Sequence, residues 1–154
     1  MNLFAEVMPF FAAAGLALFI GALLTEAVVL VPMWRSLQPQ DFFILHAAHA
    51  HRLYAFFAPL TVGATLLAVV AAATSIGTNR PQSSASVVAA ILALLILSTY
   101  GLYFRRANAS FADASISHED LPAELARWAS WHWFRTAIGF LALISGLLAL
   151  RGGT

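Results

Sequence analysis

The chain has 154 residues, of which 61% are hydrophobic and only 10% are charged. Soluble domains are about 45–50% apolar and about 25% charged, so this composition excludes an ordinary soluble globule and a disordered chain. The formal net charge of +1 provides no basic surface for nucleic acid. Cysteine is absent, which excludes disulfides and thiolate metal ligands. The composition predicts one integral membrane domain whose main partner is the lipid bilayer.

Four continuously apolar stretches are long enough to cross a hydrocarbon core of about 30 Å, which takes about 20 helical residues. They lack the alternation of β-barrel strands, so they predict an all-α fold, a four-helix up-down transmembrane bundle formed by residues 1–154. The first stretch lacks the basic start of a signal peptide and is expected to be a retained span. The spans cover about residues 7–34, 53–76 with an N-terminal extension from residue 39, 87–104 and 128–150.

The connections between these spans differ in character. Residues 77–86 form a short Gly/Asn/Pro/Ser loop, whereas residues 105–127 are read as a long polar loop. Within the long loop, Asp120 is predicted to be the N-cap of the fourth helix. The second helix also begins early, at the Gln38-Pro39 pair, and is too long for one straight span. Its first part is expected at the headgroups or in the cytoplasm, and Pro59 is expected to kink the rest.

The distribution of arginine predicts an orientation. Two arginines fall at the end of the bundle that carries both termini, and six fall at the opposite end. The positive-inside rule makes the arginine-rich end cytoplasmic and puts both termini outside. We expect a bacterial inner-membrane protein. The six arginines are Arg35, Arg52, Arg105, Arg106, Arg127 and Arg135.

Polar residues collect at the same arginine-rich end, while the other half of the bundle is nearly pure Ala, Leu, Val, Ile and Gly. Ionisable groups within membrane spans are costly and are functional-site candidates by default. A purely structural alternative is that Glu26 pairs with Arg135 or Arg52 and locks the bundle. The polar set is Glu26, His46, His49, His51, Arg52, Tyr100, Tyr103, Asn108, His132 and Arg135.

Three chemistries fit this set. Imidazoles from facing helices bind haem or metal, with His49 and His132 as an axial pair. A histidine base beside an arginine could instead deprotonate a lipophilic phenolic or enolisable substrate and stabilise its oxyanion. The cluster could also bind an anionic lipid or quinone without catalysis. The predicted cofactor-binding residues are His49, His132, Arg52 and Tyr100, and the predicted metal ligands are His46, His49 and His132.

Three sequence elements resemble the DUF1772 family of small four-helix membrane proteins, which includes the fungal anthrone oxygenase group. They are Pro32 followed by Trp34-Arg35-Ser36-Leu37, Asn108 after the third span, and the W-x-x-W-H-x-x-R element from Trp128 to Arg135. The resemblance implies an oxygenase-like enzyme that turns an anthrone-type carbanion and O₂ into a quinone. By position, it makes His132 the base, Arg135 the anion partner and Asn108 an orienting hydrogen-bonder. Glu26, an ionisable residue within the first span, completes the predicted catalytic set.

The sequence therefore favours an oxidoreductase that acts on a lipophilic aromatic or phenolic molecule through a His/Arg pocket. Two alternatives stay open: a haem- or metal-binding redox protein, and a non-catalytic small subunit of a larger membrane complex. No motif identifies a cofactor, so haem, a histidine-ligated metal and no cofactor are all retained. A homo-oligomer is a further alternative.

Overall fold

A computed structural model describes residues 3–79 and 83–151. All regular secondary structure within these two ranges is helical. Four helices are long and apolar enough to cross a membrane: α1, Leu3–Ser36; α2, Pro39–Gly77; α3, Ser83–Ala112; and α4, Leu121–Leu150. Each packs against the next, and α4 packs against α1. The predicted all-α four-helix bundle is confirmed.

The helix ends agree with the capping signals but not with the predicted third loop. Gln38 precedes α2, and Asp120 is the N-cap of α4. Helix α3 continues to Ala112, past the predicted end at residue 104, because Ala107 and Phe111 are buried one helical turn apart. The connection to α4 is therefore confined to residues 113–120. In the predicted short loop, residues 80–82, including Arg80, lie outside the described ranges.

Helix α2 is uninterrupted at Pro59 and runs for 39 residues, or about 58 Å at 1.5 Å per residue. That is nearly twice the thickness of a hydrocarbon core. Its first turns bury Phe42, Phe43 and His46 against the other helices. The early part of α2 is thus packed within the bundle, and its predicted location at the headgroups or in the cytoplasm stays a prediction.

Two helices widen locally into π turns, Glu26–Leu30 in α1 and Tyr100–Phe104 in α3. In the first, the Val31 N–H bonds back five residues to the Glu26 carbonyl. Pro32 follows directly, and a proline cannot donate the next helical hydrogen bond. Such single-turn π bulges occur frequently at functional sites, and both lie in the half of the bundle that carries the polar residues.

The core has two unlike halves. Towards the termini it consists of small and aliphatic side chains from all four helices, including Leu16, Ala68, Ala93 and Ala142. At the other end it is largely aromatic and centres on Trp34, Phe42, Phe104, Phe111 and Trp128. Small residues let membrane helices approach closely, whereas aromatic rings fill wider gaps. The polar site lies where the two halves meet.

Gly139 marks the closest approach of α4 in the first half. A Cβ atom there would lie 3.0 Å from Ile20 Cγ1 and 3.7 Å from Ile96 Cδ1. Gly15 approaches α2 in the same way, because a Cβ atom at this position would lie 2.9 Å from Leu67 Cδ1. Gly21 has no neighbour within 4 Å of such an atom, so of the two glycines in α1 only Gly15 serves packing.

We expect Gly139→Leu to destabilise the bundle by about 1–3 kcal/mol, because the side chain would overpack a filled interface. The measurement is thermal unfolding in nanodiscs, where the loss corresponds to several degrees. Gly21→Leu is the matched control and is expected to leave the unfolding temperature unchanged. Equal effects of the two substitutions would contradict the packing assignment.

Candidate functional site

A cavity of about 440 Å³ lies inside the bundle at its polar end. All four helices contribute to its wall, which is mostly apolar. This volume is in the usual range for small-molecule sites, about 300–1,000 Å³. The polar side chains that line it are Glu26, His46, Tyr54, Thr61, Tyr100, Arg105, Asn108 and Arg135.

The cavity opens sideways, between α2 and α3. Its lining there includes Tyr54 and Val62 from α2 and Tyr100 from α3, all of which are exposed at the bundle surface. The Tyr54 and Tyr100 rings lie 6.2 Å apart, centroid to centroid. Because these segments belong to helices apolar enough to span a bilayer, a lipophilic molecule could enter from the lipid phase.

A buried ion pair forms one wall of the cavity. Arg135 Nη2 of α4 donates to Glu26 Oε2 of α1 at 3.0 Å. Glu26 is 4% exposed and the Arg135 side chain 14%. A charge at this depth requires a partner, since an unpaired one is very costly to remove from water. Glu26 and Arg135 therefore fit both predictions, because they join α1 to α4 and also line the cavity.

His132 is fully buried and accepts hydrogen bonds from Arg135. Its Nε2 lies 2.8 Å from the Leu23 carbonyl oxygen, which can only accept, so Nε2 carries the hydrogen. Its Nδ1 receives hydrogen bonds from Arg135 Nε at 3.1 Å and Nη2 at 2.7 Å. Arginine has only donors, so Nδ1 presents its lone pair. The arrangement defines a neutral imidazole with both nitrogens in use.

Aromatic rings surround the guanidinium. Arg135 Cζ lies 4.0 Å from the centroid of Phe104 and 5.7 Å from that of Trp128, distances at which a cation is attracted to a ring face. Trp128 also stacks on His132 at 5.0 Å. Its Nε1 donates to Asn108 Oδ1 at 2.8 Å. Asn108 lines the cavity, and its NH₂ group has no acceptor among the described residues.

His46 is the second imidazole of the site, and its bonding is the opposite of that of His132. It lines the cavity and is 7% exposed. The rings of Trp34, Phe42 and Phe111 surround it at 5.5–6.2 Å between centroids. In the described part of the chain neither ring nitrogen has a hydrogen-bond partner, and Nδ1 is completely buried. A buried polar atom without a partner typically costs about 1–3 kcal/mol.

The other predicted ligands lie apart from this site. His49 is exposed, and its Nδ1 bonds to the Leu45 carbonyl of its own helix at 2.9 Å. His51 and Arg52 are exposed too, and neither lines the cavity. Tyr100, by contrast, is at the cavity mouth.

The predicted haem and metal sets are not assembled in this geometry. His49 points to the surface, and His132 has no free nitrogen, so the two cannot form an axial pair as they stand. Trp34 and Trp128 separate His46 from His132. Among residues 3–79 and 83–151, no three His, Asp or Glu side chains are grouped as a metal site would require. His132 does not line the cavity and both of its nitrogens are bonded, so its predicted role as the base stays a prediction that this geometry does not support.

Several cavity residues are absent from the set predicted by sequence. Tyr54 lies eight residues after His46, and a helical stripe through Ala50, Tyr54, Ala58 and Thr61 lines the cavity. That spacing is a signal from which Tyr54 could have been found. Arg105 at the mouth has none, because the sequence predicts a loop over residues 105–112. Glu26 and Tyr100 each lie in a π turn. Pro32 is a sequence signal for the first turn, and the second has no reliable signal.

No protein-family model, curated protein or solved structure matches this chain. The resemblance to the DUF1772 family therefore stays a prediction. The function has to be argued from the geometry of the cavity.

The Glu26–Arg135 pair predicts a strong coupling between α1 and α4. Glu26→Ala leaves Arg135 uncompensated and is expected to cost about 3–5 kcal/mol. The double variant Glu26→Ala/Arg135→Ala should cost clearly less than the sum of the two single changes, since no isolated charge remains. Thermal unfolding in nanodiscs measures the cycle. Arg127→Ala, which breaks only an exposed pair with Glu124 at 3.0 Å, should cost at most about 1 kcal/mol. If the losses of unfolding free energy from the two single changes simply add up in the double variant, the pairing is contradicted.

His46→Phe is expected to stabilise the protein. Phenylalanine is apolar, like the neighbouring rings of Trp34, Phe42 and Phe111, and it removes an unpartnered buried nitrogen. A gain of about 1 kcal/mol corresponds to a few degrees in the unfolding temperature. His51→Phe, at an exposed position of the same helix, serves as the control and should give no gain. A lower unfolding temperature for His46→Phe would mean that the imidazole has a stabilising partner.

Proposed function

We propose that this protein is a membrane-embedded, oxygenase-like enzyme that acts on a lipophilic aromatic substrate with an acidic hydroxyl or an enolisable carbonyl. The substrate enters from the bilayer between α2 and α3. Its oxygen binds at Arg135, and its anion reacts with O₂. The observation that carries the proposal is the laterally open, mainly apolar cavity with a buried guanidinium in its wall.

Unused hydrogen-bond donors support the binding of an oxygen anion or a carbonyl. Arg135 uses Nε and Nη2 within the protein, and its Nη1 has no acceptor in the described part of the chain. The Asn108 NH₂ group is similarly free. Preorganised donors in a water-poor site stabilise developing negative charge far better than water does. A donor on α3 and a donor on α4 are therefore available for a substrate oxygen.

The charge of the cavity lining points the same way. Glu26 neutralises Arg135, while Arg105 at the mouth has no acidic partner within the described residues. The lining is left with one net positive charge, which favours a substrate that becomes anionic. A neutral ligand such as a simple alkane would gain nothing from these groups.

The proposed reaction is balanced without an added reductant. One anthrone and one O₂ give one anthraquinone and one water. Removal of the acidic proton makes an electron-rich anion that O₂ oxidises directly. The contribution of the protein is to bind the substrate, promote loss of its proton and stabilise the anion. The sequence resemblance to DUF1772 proteins supports the same reaction class.

We also propose that the cavity end of the bundle faces the cytoplasm of a bacterial inner membrane, with both termini outside. The excess of arginine at that end supports this orientation. Substrate and product would then exchange through the lipid, and the proton would leave on the cytoplasmic side.

The test is oxygen uptake by the purified chain in nanodiscs supplied with dithranol, a dihydroxyanthrone. We expect one O₂ consumed per quinone formed, at a rate well above that of empty nanodiscs. Arg135→Lys keeps a cation for Glu26 but loses the planar donor fork, and it should slow the reaction by about 100-fold, as removal of an oxyanion donor does.

Arg127→Gln is the matched control, because Arg127 is on the same helix, exposed and not part of the cavity lining. Its rate should equal that of the wild type. If the wild-type protein accelerates oxidation no more than empty nanodiscs do, the proposed function is wrong. A rate unaffected by Arg135→Lys would remove Arg135 from the mechanism.

A further inference from the structure

The proposed reaction needs a group that accepts the substrate proton, and three side chains come into question. His132 has no nitrogen available, since Leu23 and Arg135 occupy both. Glu26 lines the cavity, but its carboxylate is the counter-charge of Arg135 at 3.0 Å. A proton on Glu26 would weaken the ion pair that holds α1 against α4. Neither group suits the task.

His46 has what the other two lack. It lines the same cavity, and neither of its nitrogens is engaged within the described residues. A neutral imidazole in either tautomer offers one lone pair and one N–H. Nδ1 is completely buried, so a substrate in the cavity would meet Nε2. With the hydrogen on Nδ1, Nε2 would accept the substrate proton, and the new N–H would then donate to the anion.

We infer that His46 is the catalytic base of the cavity and takes the acidic proton of the bound phenol or enolisable ketone. This inference rests on the proposed function. The O–H or C–H bond of the substrate breaks, its electron pair stays on the substrate as a phenolate or enolate, and an N–H bond forms on His46. No oxidant takes part in this step, so it can be observed without O₂.

The surroundings of His46 fit a transient cation. Trp34, Phe42 and Phe111 enclose the ring at 5.5–6.2 Å, and aromatic rings stabilise nearby cations. The proton transfer creates the imidazolium together with a substrate anion, so the net charge in the cavity does not change. Trp34 also contacts Trp128, which lies against Arg135. His46 and Arg135 are thus in contact with the same group of aromatic rings.

The test separates binding from proton transfer. The full chain in nanodiscs is titrated with dithranol under argon. Quenching of tryptophan fluorescence reports binding, and the long-wavelength absorption of the anion reports ionisation. We expect the wild-type protein to ionise the bound probe. His46→Gln and His46→Phe should still bind it, but with the ionised fraction reduced by at least about tenfold, as expected on loss of a general base. His51→Gln should behave as the wild type.

NMR of isotopically labelled histidine nitrogens provides a second readout. An imidazolium signal should appear when dithranol binds to the wild-type protein and should be missing from His46→Phe. Wild-type ionisation by both His46 variants, or loss of all probe binding in both, would overturn the inference, because His46 would then be either dispensable or only a binding residue. Failure of the wild-type protein to bind dithranol would instead refute the proposed function, and the inference with it.

Discussion

The ion pair between Glu26 and Arg135 is the constraint on which the polar half of the bundle depends. A guanidinium within an apolar layer has to meet a counter-charge, and Glu26, 109 residues earlier in the chain, supplies it. His132 adds a third contact, since it bonds to Arg135 and to the Leu23 carbonyl of α1. These bonds fix both the rotation of α4 and its height against α1. Apolar packing alone would not fix the rotation or the height of α4, because in lipid the outer faces of the helices are as apolar as the core.

This requirement also accounts for a cavity at this level. In the other half, alanine and glycine allow the helices to approach to van der Waals contact. Around Arg135 the space is occupied by large rings, Phe104 and Trp128, which shield the charge from lipid. Rings of this size and a π turn in α1 and α3 leave space that small side chains would have closed. The same groups that make the charge tolerable therefore open a site beside it.

The sequence is sufficient to predict the number and type of the helices and the helix starts at Pro39 and after Asp120, because long apolar runs and capping residues act locally. It is not sufficient for the end of α3. The segment from Arg105 to Ala112 is polar in composition, and only the burial of Ala107 and Phe111 makes it an amphipathic helix. The composition of this segment predicts a loop, whereas the spacing of Ala107 and Phe111 predicts a helix. The predicted loop follows from the composition.

Side-chain direction within the polar set is beyond sequence reasoning for a physical reason. His46 and His49 are three residues apart, a spacing that places side chains near one face of a helix. Three residues rotate a helix by about 300°, however, and the remaining 60° takes one ring inward and leaves the other exposed. In lipid no polar outer face marks which of the two points inward. The bond of His132 to the Leu23 carbonyl likewise depends on atoms that are brought together only by folding.

Hydrogen-bond capacity separates structural from functional groups in this site better than residue type does. His132 has both ring nitrogens bonded and Glu26 is the counter-charge of Arg135, so these two side chains hold Arg135 in place. His46, the Asn108 NH₂ group and Arg135 Nη1 have capacity that nothing else in the described chain uses. A buried imidazole without a partner lowers stability, and an apolar phenylalanine in its place would remove the unpartnered nitrogen. Such a costly residue is explained if Nε2, the nitrogen of His46 that is not completely buried, finds its partner in the substrate, so that an unmet bond of the empty cavity becomes the proton-transfer bond of the occupied one.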